Sequence, residues 1–431
     1  MSRPLRILRI ISRLNVGGPA LHVIFLTQRF QEIGWSSELV TGAVGSDEGS
    51  MEVLAEERDI HLEKIPELRR DVNVRRDLVA LYKLIRLMFR MKPDIVHTHT
   101  AKAGALGRIA AFLYRRFHWR GLWSPRPLQI YHTFHGHVLY GYFSPLRTRL
   151  YTWMEKILAR ISTRLITLSP QLQTELVQMG VAPPEKVSIV PLGLEIDSFL
   201  SLPEKVPAGA PIGKEMGLPP GIPVVGIIGR LVPIKDHETF LEAACILKYE
   251  MTEGAAPSAH FLIVGDGELR EILELRAREK GISECCHFLG WRRDLPPIYN
   301  SLDLVVLSSR NEGTPVSLIE SMAAARPVVA TRVGGVPDVL GDGNSDNSSQ
   351  TPIPFGDFQI MATGILIEEG DAFGLARAMA HLLNSPALSE SLGRAGRRKA
   401  RSLHTSDRLR DDLAAIYAQD QEFLAKGKMD D

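Results

Sequence analysis

Residues 311–331 read NEGTPVSLIESMAAARPVVAT, a short helix running straight into a buried strand. Thr314 is a favourable N-cap and Pro315 suits the first helical position, where a missing N–H costs nothing. The spacing predicts a helix over Val316 to Ala325, with small residues that let it lie close on a neighbouring strand. RPVVAT (326–331) is that strand, so the stretch is one αβ unit. A helix start of this kind offers free backbone N–H groups and the positive end of a dipole. Glu312 precedes the turn, and Glu320 follows eight positions later on the second helical turn. A carboxylate beside a phosphate cradle suits a ribose diol or a sugar hydroxyl. Gly313, Thr314, Pro315, Val316 and Glu320 are therefore the first candidates for a nucleotide-sugar site. The plain alternative is a capped helix with two solvated glutamates.

The same alternation of apolar runs and amphipathic segments extends in both directions. Strands are expected at 5–11, 37–41, 95–98, 129–133, 164–168 and near 187–191, with helices at 20–33, 76–91, 103–114 and 145–159. The Pro- and Gly-rich stretch 201–223 is expected to connect two domains. The pattern then restarts with strands in 223–230, 260–267, 286–290, 303–309, 326–331 and 364–368, and helices at 373–383, 387–401 and 407–423. Residues 341–359 are expected as a polar surface insertion. The fold class that follows is α/β: two Rossmann-like doubly wound domains, with ligands beyond the carboxyl ends of the strands. The expected divisions are 1–200, a linker region at 201–223, 224–405, and a final helix and tail at 406–431.

Composition sets broad limits. The 431 residues are 45% hydrophobic, enough for two cores, and no stretch approaches the length of a membrane-spanning helix. Arginines at 3, 6, 9 and 13 break up the apolar N-terminus, which reads as a first strand rather than a signal peptide. Three cysteines, two of them adjacent, offer no metal spacing and suit a reducing cytoplasm. Net charge is +1, but residues 1–200 hold 27 Lys+Arg against 18 Asp+Glu. Much of the excess lies between Arg69 and Arg126, including Arg75, Arg76, Lys83, Arg86 and Arg90, with Trp119, Leu122 and Trp123 following. Such a surface can rest on an anionic membrane, or be an ordinary solvated helix face. No nucleic-acid recognition signature is present, so no nucleic-acid partner is expected.

In GRLVPIKD, Arg230 and Lys235 lie five residues apart just past the strand that opens the second domain. Two cations fixed at a strand end can hold a diphosphate, and with the turn at Gly313–Pro315 they would form a two-sided clamp without metal. Gly17 and Gly18 in NVGGPALH permit close backbone approach, but this is not G-x-G-x-x-G, and a dinucleotide fold is disfavoured. Histidines gather at strand ends in DIVHTHTAKAG (His97, His99) and YHTFHGH (His132, His135, His137). A zinc cluster is conceivable, yet no carboxylate or cysteine lies nearby in sequence, so no metal and no cofactor are expected. His135 is the best placed to bond sugar hydroxyls, with His99 and Lys102 as further substrate-binding candidates, while His97 and His132 read as structural. Gly265 in VGDG, and Trp291 with Arg292 after FLG, suit a base pocket.

Taken together, the chain resembles family 4 of the glycosyltransferases, the retaining, metal-independent enzymes of the GT-B fold, and the bacterial surface-polysaccharide members in particular. The resemblance runs through NVGGPALH, VHTHTAKAGALGR, HTFHGH, VSIVPLGLEIDSF, GRLVPIKD, VGDGEL, FLGW, NEGTPVSLIESMAAARPVVAT and VGGVPD. It implies two domains across a deep cleft, with the last helix crossing back to the first domain. It implies that Arg230 and Lys235 bind the donor diphosphate, that the amides after Glu312 bind sugar and phosphate, and that Glu312 lies near the transferred sugar. It further implies that Glu320 holds the ribose, that Gly18 lets its loop reach the donor, and that His135 contacts the sugar near the acceptor. Leu192 stands where the family's linker usually has Asn, and Ala325 where Gly is frequent.

The expected reaction is transfer of a sugar from a nucleoside diphosphate, UDP first, to an acceptor hydroxyl with retained configuration. The expected acceptor is a lipid-linked saccharide, met in the cytoplasm or at the inner face of the plasma membrane. A soluble acceptor, a nucleotide-sugar 2-epimerase and a non-catalytic nucleotide-sugar sensor are the alternatives.

Overall fold

The computed structural model describes residues 4–45, 49–69, 71–119, 128–136, 145–205, 211–219, 221–249, 259–341 and 352–426. The chain divides into two units. The first comprises Met1–Glu195 with Thr405–Asp431, the second Ile196–His404.

Unit 1 runs β1 (Arg6–Ile11), α1 (Gly18–Glu32), β2 (Ser36–Thr41), α2 (Glu52–Glu56), β3 (Leu62–Lys64), α3 (Val74–Met91), β4 (Ile95–His99), α4 (Ala101–Trp119), β5 (Gln129–Phe134), α5 (Pro145–Ile161), β6 (Arg164–Thr167), α6 (Pro170–Gln178) and β7 (Val187–Ile189). The sheet order is β3-β2-β1-β4-β5-β6-β7, parallel throughout. Strands buried on both faces need helices on both sides, and β1, β4 and β5 are buried along almost their whole length. One face packs Leu8, Ile10, Val96 and Ile130 against Leu84, Met88, Ala110 and Ala111 of α3 and α4.

Unit 2 continues with α7 (Asp197–Leu200), α8 (Pro211–Glu215), β8 (Val224–Ile228), α9 (His237–Tyr249), β9 (His260–Val264), α10 (Arg270–Glu279), β10 (Cys286–Gly290), α11 (Leu295–Tyr299), β11 (Leu304–Leu307), α12 (Val316–Ala323), β12 (Val328–Thr331), α13 (Val336–Leu340), β13 (Gln359–Ile360), β14 (Ile365–Ile367), α14 (Ala372–Leu383) and α15 (Pro386–Leu403). Its order is β10-β9-β8-β11-β12-β14-β13. Only the edge strand β13 runs antiparallel, to β14. In both sheets the strand order reverses beside the first strand, between β1 and β4 and between β8 and β11. Such switch points open a crevice at the carboxyl ends of the strands.

Several boundaries differ from the sequence expectation. Residues 201–205 and 211–219, expected in a linker, lie in unit 2: Ile212 is buried and its amide donates to Ser301 Oγ at 3.1 Å. The expected insertion at 341–359 is partly built into the fold, since Ile353 is buried and donates to Glu368 Oε1 at 2.8 Å. Its residues 342–351, like His137, Leu122 and Trp123, lie outside the described residues.

The last helix, α16 (Ser406–Lys426), belongs to unit 1 as expected. It covers one face of the sheet, packing Leu409, Leu413 and Tyr417 against Ile7, Phe30, Ile95 and Tyr131. Polar groups under it are paired. Asp420 accepts from Tyr131 Oη at 2.9 Å and from Arg164 Nε at 3.0 Å and Nη2 at 2.5 Å. Tyr417 Oη meets His97 Nδ1 at 2.6 Å, and the fully buried Arg9 reaches Ser37 and His97 and stacks on Phe30. Removing one partner of a buried ion pair strands the other. Asp420→Ala should therefore cost about 3 kcal/mol of stability in urea unfolding; a loss below about 0.5 kcal/mol would show that the network is idle.

Candidate functional site

The residues singled out in unit 2 converge on the switch point between β8 and β11. Chain leaving β8 passes Gly229 and Arg230, then makes one tight helical turn over Pro233–Lys235. Chain leaving β11 passes Ser308 and Ser309 to reach Glu312. The two meet where Lys235 Nζ donates to Glu312 Oε1 at 2.5 Å, with Ser309 Oγ donating to the same oxygen at 2.7 Å. Ser308 Oγ donates back to the carbonyls of Lys235 and Asp236. Asp236, at φ +48, holds Thr239 Oγ1 at 2.9 Å and Arg310 Nε at 3.1 Å, which anchors the far side of the turn. Arg230 is exposed beside this junction, and among the described residues no ion pair holds it.

Glycines bring the neighbouring strand ends into backbone contact. A Cβ on Gly265, at φ +139, would lie 1.9 Å from the Gly229 carbonyl oxygen, so only glycine fits there. Gly265 N–H donates to Gly290 O at 2.9 Å, and Leu231 N–H donates to Asp266 O at 3.0 Å. The ends of β8, β9 and β10 are thereby tied into one rim. Gly335 is as tightly placed, since a Cβ on it would sit 2.1 Å from Gly313 O. Its N–H donates to Glu312 O at 3.3 Å and fixes the turn ahead of α12.

That turn is capped differently from the expectation. Pro315, not Thr314, is the N-cap residue, and no side chain caps the helix. Its opening N–H groups are thus left for a ligand or solvent. The helix stops at Ala323, and Ala325 takes φ +55, a left-handed position where glycine is ordinarily found.

Glu320 lies half-buried on α12, with Tyr299 Oη donating to its Oε2 at 2.9 Å. Burial pushes the Glu320 carboxyl up to about 7, with the Tyr299 hydroxyl offsetting part of the rise.

The two residues expected at a base pocket lie on the surface. Arg292 is taken up by Glu215 at 2.8 Å and Asp294 at 2.6 Å, a surface ion-pair set rather than a free donor. Trp291, just before it, is 55% exposed.

In unit 1 the candidates gather at the other switch point. His99 ends β4, and its Nδ1 lies 3.0 Å from Nε2 of His135, just past β5. His22, on the first turns of α1, completes a cluster that sequence reasoning missed: it lies 77 positions from His99, in a helix that reads as apolar. Burial drives the ring pKa of His22 and His99 far below the usual range, and that of His135 down to about 3, so all three are neutral. His97 and His132 are structural as expected. His97 is held by Tyr417 and by Thr133 Oγ1 at 2.7 Å, and His132 by Thr98 Oγ1 at 2.9 Å. Lys102, expected at the substrate, is instead pulled to α3 by Asp77 Oδ1 at 2.6 Å and by the Asp71 carbonyl. Gly17 and Gly18 open α1 as expected, with Gly17 accepting from Ala20 and Leu21 N–H.

Two family models match this chain: "Glycosyltransferase Family 4" over residues 16–198 and "Glycosyl transferases group 1" over residues 222–385. The chain belongs to the family 4 glycosyltransferases. It is 32% identical over 272 residues to an Escherichia coli UDP-Gal:alpha-D-GlcNAc-diphosphoundecaprenol alpha-1,3-galactosyltransferase, a match spanning 63% of this chain and 66% of that enzyme. It is 25% identical over 361 residues to the Staphylococcus aureus capsular polysaccharide biosynthesis glycosyltransferase CapM, covering 81% and 83% of the two chains. Among solved structures, Anabaena HepE in complex with UDP superposes with a TM-score of 0.74 at 19% identity, covering 96% of this chain and all of that one. A Thermosynechococcus elongatus sucrose-phosphate synthase superposes with a TM-score of 0.70 at 22% identity, covering 98% and 100%. These likenesses establish the two-domain GT-B fold.

A carboxyl whose pKa rises on folding favours the native state below its unfolded value and penalises it once pH exceeds the folded value. Glu320 therefore costs stability progressively from about pH 4.5 to about 7, by at most about 3 kcal/mol. Glu320→Gln should gain stability over the parent on going from pH 5 to pH 8 in thermal unfolding; a gap that does not change with pH would contradict the raised pKa.

Proposed function

We propose that this glycosyltransferase moves a sugar from a nucleoside diphosphate, UDP first, to a hydroxyl of a lipid-linked saccharide, with the anomeric configuration retained. The observation that carries the reading is the meeting of Lys235 and Glu312 at the β8/β11 switch point, beside the open start of α12 and the unpaired Arg230. Lys235 and Arg230 supply positive charge from one side, and the N–H groups of α12 supply it from the other. A departing diphosphate gathers negative charge as its bond to the sugar breaks, and groups fixed in advance stabilise that charge without reorganising. Glu312 holds the ammonium of Lys235 in position. Glu320, on the second turn of the same helix, accepts the ribose hydroxyls.

The transfer itself needs no side-chain nucleophile. The bond from the anomeric carbon to the diphosphate oxygen breaks, the acceptor oxygen bonds on the same face, and its proton passes to the leaving diphosphate. The clamp balances the diphosphate charge with protein groups, so the step runs without a divalent ion. The lipid-linked acceptor rests on the relatives, one of which is a diphosphoundecaprenol galactosyltransferase by its name.

A membrane-bound acceptor requires the enzyme to reach a membrane surface, and no helix of the described residues is long and apolar enough to cross one. Unit 1 offers a lateral alternative. Helices α3, α4 and α5 lie side by side, joined by the Lys102–Asp77 and Arg108–Glu155 ion pairs. Together they carry thirteen Lys and Arg against two acidic residues. Val74, Leu78 and Tyr82 form an exposed stripe on α3, and Leu150, Trp153 and Ile157 form a second on α5. Apolar stripes between arginines match an anionic lipid surface.

Arg230→Ala and Lys235→Ala should each lower kcat by about 10²–10³, Arg230→Ala with an unchanged melting temperature and Lys235→Ala with a lowered one because it strands Glu312, and turnover should persist in excess chelator; parental rates in both variants would refute the clamp. The full chain should pellet with phosphatidylglycerol vesicles and be released by high salt. Tyr82→Ala combined with Trp153→Ala should weaken that binding at least about tenfold, whereas equal binding to neutral vesicles would rule out this face.

A further inference from the structure

Histidine rings pack against one another at the carboxyl end of the unit 1 sheet, and one contact between two of them governs where a proton sits. His99 ends β4, fully buried, and stacks on His97 with centroids 4.4 Å apart and 28° between the ring planes. His97 is itself held by Tyr417 and Thr133, so His99 rests on a fixed surface. His22 meets His135 edge-on, with centroids 4.9 Å apart at 83°. Between these supports, His99 Nδ1 lies 3.0 Å from His135 Nε2. Thr100, the residue after His99, takes φ +65, a left-handed position that a β-branched side chain rarely adopts. Ser12 N–H donates to Thr100 Oγ1 at 3.3 Å, and the two hydroxyls are 2.9 Å apart. Strain of this kind persists only where the surroundings impose it, and it gathers at functional sites.

We propose that His99 is a positioning residue: its Nδ1–H donates to His135 Nε2 and holds His135 as the tautomer that carries its own hydrogen on Nδ1. Both rings are neutral, so one of the two facing nitrogens bears a hydrogen and the other a lone pair. The remaining nitrogen of His99, Nε2, is buried without a hydrogen-bond partner. A hydrogen there would be an orphaned buried N–H, which folded proteins rarely tolerate; an unpaired acceptor is the commoner exception. The hydrogen of His99 is thus on Nδ1, and the bond it makes sets the tautomer of the ring beyond. The inference rests on the reading that His135 contacts the transferred sugar. It makes His135 an Nδ1–H donor to a sugar oxygen, with no lone pair free to take the acceptor's proton. That agrees with passage of this proton to the leaving diphosphate.

The full chain, labelled with ¹⁵N-histidine, is studied by long-range ¹H–¹⁵N correlation at neutral pH, with His135→Ala assigning the His135 signals. The expected spectrum shows His135 protonated at Nδ1 and bare at Nε2; the reverse overturns the proposal from the parent chain alone. His99→Phe keeps a flat ring and removes the donor. It should turn His135 into a mixture of tautomers and lower kcat at least about tenfold, with KM for the donor changed far less. His99→Asn returns an N–H near the place of the ring Nδ1, and should restore the single tautomer and most of kcat. A merely structural role predicts no such rescue, since asparagine fills less of the site than phenylalanine. If circular dichroism shows that His99→Phe has unfolded, the parent spectrum and His99→Asn decide. A single unchanged tautomer in folded His99→Phe, or a parental kcat there, overturns the proposal. Parental turnover in His135→Ala would overturn the sugar contact and leave the tautomer standing.

Discussion

One oxygen of Glu312 binds together two loops that are 77 residues apart in sequence. Lys235 and Ser309 both donate to it, and this shared acceptor makes a single site of the ends of β8 and β11. The reversal of strand order at this point leaves the crevice open, and the ion pair defines what lines it. The surrounding rim then needs glycine. Any side chain at Gly265 or Gly335 would drive a carbonyl away and separate the loops that Glu312 joins. Charge, sheet topology and backbone sterics thus bear on the same few residues.

Much of this was legible before any coordinates. The parallel strands announce themselves as short apolar runs because they are buried on both faces, and most boundaries fall within one or two residues of the expectation. The edge strands β3 and β13 escaped notice because two or three residues have no periodicity to read. In the site, the order of Arg230, Lys235, Glu312 and Glu320 along the chain reflects their position at strand ends. Side-chain pairing left no such trace. Lys102 and Arg292 were expected at ligands because their motifs placed them near strand ends. Each instead faces a carboxylate contributed by another helix or loop, Asp77 or Glu215, and only tertiary structure reveals the partner.

The buried polar residues of unit 1 show the same limit. Arg9 looked like a charge interrupting an apolar segment, yet it is fully buried inside the sheet's packing. Such burial is tolerable because Ser37, His97 and the Phe30 ring are at hand, together with Tyr417 from a helix four hundred residues later. His22 was similarly hidden. It sits among the apolar residues of α1, and its meaning appears only when β4 and β5 bring His99 and His135 beside it.

The helix α16 has a consequence for how the polypeptide is made. Unit 1 is begun first and finished last, since Tyr417 and Asp420 close its sheet only after all of unit 2 has been synthesised. Until then Arg9, His97, Tyr131 and Arg164 lack those partners, and the apolar face around Ile95 is uncovered. Unit 2, by contrast, is one uninterrupted segment, able to fold as it emerges from the ribosome. A nascent chain that stalls short of residue 417 would thus carry one finished half and one that still exposes its interior.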